Sequence, residues 1–208
     1  MAETGLRPGP ALLVVPSIFG ITQELRERLV EATAGGGVAL AMDPFWRTDP
    51  GPLELSQMDR ALARMRAYDP QLGRQDIEAV LHGLEQSPVC VGGVVGLGIC
   101  FGGRVLWPFA VQGRLAALAG WHAGGLGALL DGELPSCPME LDFGEDDGSI
   151  PLQEVEALRT AFADRDDVAI RVHKGARHGF SHRHTERFHA SAAEHADIGV
   201  RELLDRLR

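Results

Sequence analysis

Six short apolar runs alternate with stretches of helical period, and this alternation limits the fold more than any single motif in the chain. "ALLVVPS" (residues 11–17), "VALAMDPF" (38–45), "VCVGGVVGLGI" (89–99), "LAALAGWHA" (115–123), "MELDFGEDD" (139–147) and "VAIRVHKGA" (168–176) read as strands. The first is rich enough in β-branched and aliphatic residues to be buried on both faces. Between them, "TQELRERLVEATAGGG" opens on Thr22 as an N-cap and closes on Gly35–Gly37. Residues 55–86 carry a helical pattern broken at Asp69-Pro70, because proline disfavours helix both at its own position and before it. "GGRVLWPFAV" (102–111) and "LQEVEALRTAFAD" (152–164) read as further helices, and "TERFHASAAEHADIGVRELLDRL" (185–207) as a closing amphipathic one. Strand–helix alternation predicts an α/β fold with a mostly parallel sheet and helices on both faces. No repeat or linker divides the sequence, so residues 1–208 are expected to form one domain.

The strand at 89–99 runs into a knot of glycines, "GLGICFGG", which has two physical readings. Gly96, Gly98 and Gly102 follow a strand and precede a helix, as a dinucleotide-binding loop would. Such a loop needs an acidic residue about twenty positions on for the ribose. No Asp or Glu lies between Gly102 and Asp131, and the strand is not the first of the sheet. The other reading is a nucleophile elbow, Gly98-Ile99-Cys100-Phe101-Gly102, with a thiol in the central position. A sharp strand-to-helix turn lifts the central side chain off the sheet and requires small neighbours two residues away on either side. The helix that follows aims its first amides at the same point, where they favour a thiolate and a developing oxyanion. Cys90 and Cys137 lack such a setting and read as packed thiols, and the absence of CxxC spacing argues against a disulfide frame or zinc site.

An elbow at Cys100 predicts an acid and then a histidine on loops after later strands. "LDFGEDDGSIP" supplies Asp146 and Asp147, and "VHKGARHGF" supplies His178 before Gly179. In a parallel sheet these loops share the edge where ligands bind. The imidazole would take the thiol proton, and a carboxylate would orient the ring. Spacing alone leaves Asp146 and Asp147 as alternatives.

These segments resemble the dienelactone hydrolases of the α/β-hydrolase superfamily over most of the chain. "PSIFGI" resembles the family's first-strand loop, "AMDPF" its second-strand end, "GICFGG" its cysteine elbow, "FGEDDGSIP" its acid loop and "HGF" its histidine loop. The resemblance implies an α/β-hydrolase fold and hydrolysis of an ester, lactone or thioester by a Cys100–Asp147–His178 triad. It also implies that Asp147 rather than Asp146 is the acid, and that the Phe101 and Ile18 amides form the oxyanion hole. One position departs from the pattern: where the family loop often carries a glutamate before Ile-Phe-Gly, this chain has Ser17. The family's substrate-gripping arginines have no clear counterpart, with Arg47 and Arg183 the nearest guesses. Ser17, Trp46, Trp121, His122 and His182 are expected to rim the substrate pocket.

The remaining expectations are mostly exclusions. A formal net charge of -9 argues against nucleic acid or an anionic membrane as the main partner. No apolar stretch reaches membrane-span length, and the first residues lack a signal-peptide pattern, so a cytoplasmic protein is expected. A cofactor is not needed. His178, His182 and His184 cluster in sequence, but without H-E-x-x-H or carboxylates at ligand spacing no metal is expected. A small ester or lactone is the expected partner, and the chain is expected to be a monomer or homodimer. A binding module on a degenerate hydrolase fold, and a thiol redox sensor at Cys100, are the alternatives to catalysis.

Overall fold

The computed structural model describes residues 7–208. Its strands are β1 (Gly9–Val15), β2 (Val38–Ala41), β3 (Cys90–Ile99), β4 (Ala117–Trp121), β5 (Met139–Gly144) and β6 (Val168–His173). They form one six-stranded sheet in the order β2-β1-β3-β4-β5-β6. Every neighbouring pair is parallel. The helices are α1 (Gln23–Ala32), α2 (Met58–Arg66), α3 (Pro70–Glu85), α4 (Phe101–Val111), α5 (Leu152–Ala161) and α6 (Ala190–Asp205). Among the described residues no helix is long and apolar enough to cross a membrane.

Two apolar layers sandwich the sheet. One packs Leu12, Val14, Leu97 and Ala119 against Leu25 of α1 and Ala192, Ala196 and Val200 of α6. The other packs Leu13, Val15 and Leu118 against Ile77 and Leu81 of α3, Leu106 of α4 and Val155 of α5. Phe45, Phe109, Phe143 and Phe180 are wholly buried, each contributing roughly 1.5–3 kcal/mol of transfer free energy.

Local chemistry sets the boundaries. Thr22 caps α1 by accepting from the Leu25 amide at 3.3 Å. Asp69 caps α3 through Gln71 and Leu72, with Pro70 in the first turn where its missing N–H costs nothing. Most boundaries differ from the sequence reading, with β4, β5, β6 and α5 shorter than expected, and three differences have a clear local cause. β1 starts earlier and stops at Val15, before Pro16, which has no amide to give a neighbouring strand. β2 ends at Ala41, since the Asp43 carboxylate accepts from the Phe45 and Gly51 amides and closes a turn. α6 begins only at Ala190, because the Thr185 hydroxyl ties residues 182–187 into turns and His189 serves as the cap.

The order places β1 beside β3, with the chain winding outward to β2 on one side and to β4 on the other. The loops leaving β1 and β3 therefore diverge in opposite directions and open a crevice at the carboxyl edge of the sheet. Val15 pairs with Gly98, so residues 16–20 and Cys100 meet at that crevice.

Candidate active site

Cys100 follows β3 directly and precedes the first residue of α4, with φ 53° and ψ −110°, a conformation that non-glycine residues rarely adopt. Its neighbours explain why the turn is possible. A Cβ on Gly98 would lie 2.3 Å from Gly103 Cα, and one on Gly102 would lie 1.9 Å from the Val15 carbonyl oxygen. The backbone of α4 can approach β1 and β3 this closely only without side chains there. The Cys100 amide donates to Trp121 O at 2.9 Å and pins the bend to β4.

Asp147 and His178 arrive on the loops after β5 and β6. Asp147 Oδ1 accepts from the Ser149 and Ile150 amides at 2.8 and 3.1 Å, which leaves Oδ2 2.8 Å from His178 Nδ1. His178 Nε2 lies 3.1 Å from Cys100 Sγ. Asp146 is exposed and makes no such contact; its amide donates to Ala176 O. Burial works against the charged form of His178, but the hydrogen bonds to Asp147 and Cys100 outweigh it and push its pKa up to about 10.

The loop after β1 closes the other side. Ser17 Oγ accepts from the Phe19 amide at 3.3 Å, and Ser17 O accepts from Gly20 at 2.9 Å, so this hydroxyl stabilises its own turn. The Ile18 carbonyl accepts from buried Arg64 of α2, at 2.8 Å from Nε and 2.5 Å from Nη2. Phe101 opens α4, so its amide has no acceptor inside the helix.

A cleft of about 400 Å³ lies over these groups. Phe19, Met58, Leu62, Met65, Phe101 and Ile150 make it apolar; Ser17, Ile18, Cys100, His178 and His182 also line it. Two arginines, Arg104 and Arg187, reach it, and none of its lining residues is acidic. Among the described residues neither arginine forms an ion pair. Sequence reasoning missed both. The signal for Arg104 was its position one helical turn beyond Cys100; Arg187 carried none.

The other expected rim residues lie elsewhere. Trp46 is 49% exposed, bonds Asp76 of α3 at 2.9 Å and stacks on Arg47, outside the cleft. Trp121 is the last residue of β4, not part of a loop, and is buried on the α1/α6 side beneath Arg28. Arg47 and Arg183 are held by Asp76 and Glu31 and do not line the cleft.

His122 is fully buried behind the cleft wall, its ring edge-on to His178 at 4.8 Å between centroids. Its Nε2 lies 2.9 Å from Ser181 Oγ, while Nδ1 has no partner. Burial, then the charge on His178, drives its pKa well below the usual imidazole value. Burial also lowers His182 to about 4, so both rings are neutral. The histidines that converge on possible metal-ligand geometry are not the sequence cluster 178, 182 and 184. They are His122 and His178 with Cys100, whose ligand atoms all lie within 4.8 Å of one another.

Comparison with known proteins places the chain in a family. Residues 2–207 match the model of the "Dienelactone hydrolase family". The carboxymethylenebutenolidase of Pseudomonas sp. strain P51 is 27% identical over 205 residues, covering 96% of this chain and 86% of that protein. The carboxymethylenebutenolidase of Pseudomonas putida is 25% identical over 192 residues, covering 89% and 81%. The fold is shared with a dienelactone hydrolase-like promiscuous phosphotriesterase from metagenomic libraries, at a TM-score of 0.77 and 22% identity over 99% of this chain and 89% of that one. A thermophilic esterase from Thermogutta terrifontis aligns with a TM-score of 0.65 and 16% identity over 99% and 86%. With the match running almost end to end, the chain belongs to the dienelactone hydrolase family of carboxylic ester hydrolases.

Proposed function

We propose that this protein hydrolyses a small carboxylic ester, lactone or thioester through a covalent thioester on Cys100. The observation that carries the reading is the unbroken contact from Cys100 Sγ through His178 to Asp147 at the floor of the cleft. His178 holds a proton on Nε2 toward the sulfur, which attacks the substrate carbonyl as a thiolate. The carbonyl π electrons move onto oxygen, where the Phe101 and Ile18 amides receive the negative charge. Collapse breaks the C–O bond, and the leaving alkoxide takes the Nε2 proton. Neutral His178 then removes a proton from water as its oxygen adds to the thioester. A second collapse expels the thiolate, restoring the starting pair and releasing the acid. Asp147 keeps the ring oriented and supports its positive charge at both stages.

No step requires a metal or cofactor. Arg104 and Arg187, in a cleft without acidic lining, favour a substrate bearing negative charge, and the apolar wall favours a compact carbon skeleton.

The test combines turnover with trapping. The protein is offered nitrophenyl esters and lactones, with and without a substrate carboxylate, and its intact mass is followed by rapid quench. Turnover with an acyl adduct, both lost in Cys100→Ala, is the expected result. Full activity in Cys100→Ala would overturn the assignment. A folded protein that hydrolyses nothing across the panel would point to a binding module.

A further inference from the structure

We propose that Cys100, His122 and His178 form a binding site for a thiophilic divalent cation, Zn²⁺ being the best fit. This departs from the expectation of no metal, and it rests on three features of the cluster.

The first is distance. One ring nitrogen of each histidine and Cys100 Sγ lie within 4.8 Å of one another, and Sγ is 3.1 Å from His178 Nε2. A tetrahedral Zn²⁺ with bonds of about 2.3 Å to sulfur and about 2.0–2.1 Å to nitrogen separates its ligand atoms by about 3.5 Å. Ligand atoms no more than 4.8 Å apart need to close by about one ångström to reach that spacing.

The second is outer support. His178 Nδ1 is held by Asp147 and His122 Nε2 by Ser181, so each imidazole is fixed at one nitrogen by an oxygen. This is how metal-binding histidines are oriented. The third is the orphaned atom. His122 Nδ1 is buried and unpaired, in a residue with φ 38° whose backbone N–H donates to Asp142 O at 2.7 Å. A buried nitrogen without a partner is costly, and a bond to a metal removes that cost.

One thiolate and two imidazoles suit Zn²⁺ and not Mg²⁺ or Ca²⁺, which take oxygen ligands. Cys100 and His178 line the cleft, so the fourth coordination position faces it and is open to water or an anion. Occupancy would tie up the sulfur and the imidazole together, making the cation a reversible inhibitor. That consequence rests on the hydrolase reading; the binding does not.

The full chain is stripped with chelator, titrated with Zn²⁺ by calorimetry and with Co²⁺ by absorption. One Zn²⁺ per chain is expected, with a sulfur-to-cobalt charge-transfer band that Cys100→Ser abolishes. His122→Asn, which tolerates a positive φ, and His122→Phe, which keeps a ring, should each weaken Zn²⁺ binding at least tenfold. Ser181→Ala leaves His122 in place and should weaken it about tenfold. No uptake of Zn²⁺, or wild-type affinity in both folded His122 variants, overturns the site. Ester turnover of the stripped protein is measured in parallel. Zn²⁺ binding without turnover sinks the hydrolase reading and leaves the site; turnover without Zn²⁺ binding does the reverse.

Discussion

Arg64 grips the carbonyl oxygen of Ile18 with two nitrogens, Nε at 2.8 Å and Nη2 at 2.5 Å, while almost wholly buried. Its Nη1 reaches Asp49 O and Gly51 O, and its plane lies over Phe45. One side chain therefore ties α2, the loop at 43–51 and the turn that presents the Ile18 amide. Lysine keeps the charge but cannot span these acceptors. Arg64→Lys should cost about 2–4 kcal/mol in urea unfolding, from buried carbonyls left unpaired. If Arg64 positions the Ile18 amide, kcat should fall more than KM rises. Unchanged kcat in a folded variant would remove Ile18 from the oxyanion proposal.

The two neighbouring aspartates separate cleanly by mutation. Asp147 is buried against His178, whereas Asp146 is exposed. Asp147→Asn should lower kcat/KM on the order of a hundred- to ten-thousand-fold, since the amide misorients the ring and no longer supports its charge. Asp146→Asn should change it less than about twofold. Equal effects would show that the carboxylate acts only through loop structure.

Stability should peak near neutral pH. His178 is raised to about 10, so its ring keeps a proton in the native state that the ring in the unfolded chain gives up between about pH 6.5 and 10. Its contribution is complete below pH 6.5 and is lost as pH rises through 10. His182, lowered to about 4, acts in the other direction: its contribution holds above 6.5 and is lost as pH falls through 4. His122 is shifted the same way as His182. Urea midpoints from pH 4 to 10 should trace a dome, and His178→Gln should flatten only its alkaline side. A dome unchanged in that variant would refute the assignment.

Two glycines predict opposite signs. A Cβ on Gly102 would sit 1.9 Å from Val15 O, so Gly102→Ala should destabilise by about 3 kcal/mol or more. Gly83, exposed in α3, has nothing within 4 Å of its would-be Cβ. Gly83→Ala should stabilise by about 0.5–1 kcal/mol through helix propensity alone. Thermal unfolding of both distinguishes the elbow's steric demand from a general glycine effect.

The sequence made the alternating architecture legible because buried parallel strands are continuous apolar runs, and the elbow legible because Gly98 and Gly102 are demanded by close backbone contact. The meeting of Cys100, Asp147 and His178 followed from three loops sharing one sheet edge. Which way each pocket-rim side chain points did not follow. Trp121 and His122 are adjacent, yet one belongs to the α1/α6 core and the other packs against His178. That outcome depends on where β4 ends and on the positive φ at His122, neither of which is written in apolar pattern. Arg187 reached the cleft because residues 182–187 fold into turns instead of extending α6.

The Ser17 hydroxyl is spent on the amide of Phe19 and leaves the sulfur alone. If Cys100 is the nucleophile, as proposed, no acidic residue on that loop draws its sulfur aside between turnovers. On the proposed mechanism, a small electrophile that fits among Phe19, Met65 and Ile150 meets a sulfur whose side-chain neighbour is the His178 imidazole, with no safety catch to release first.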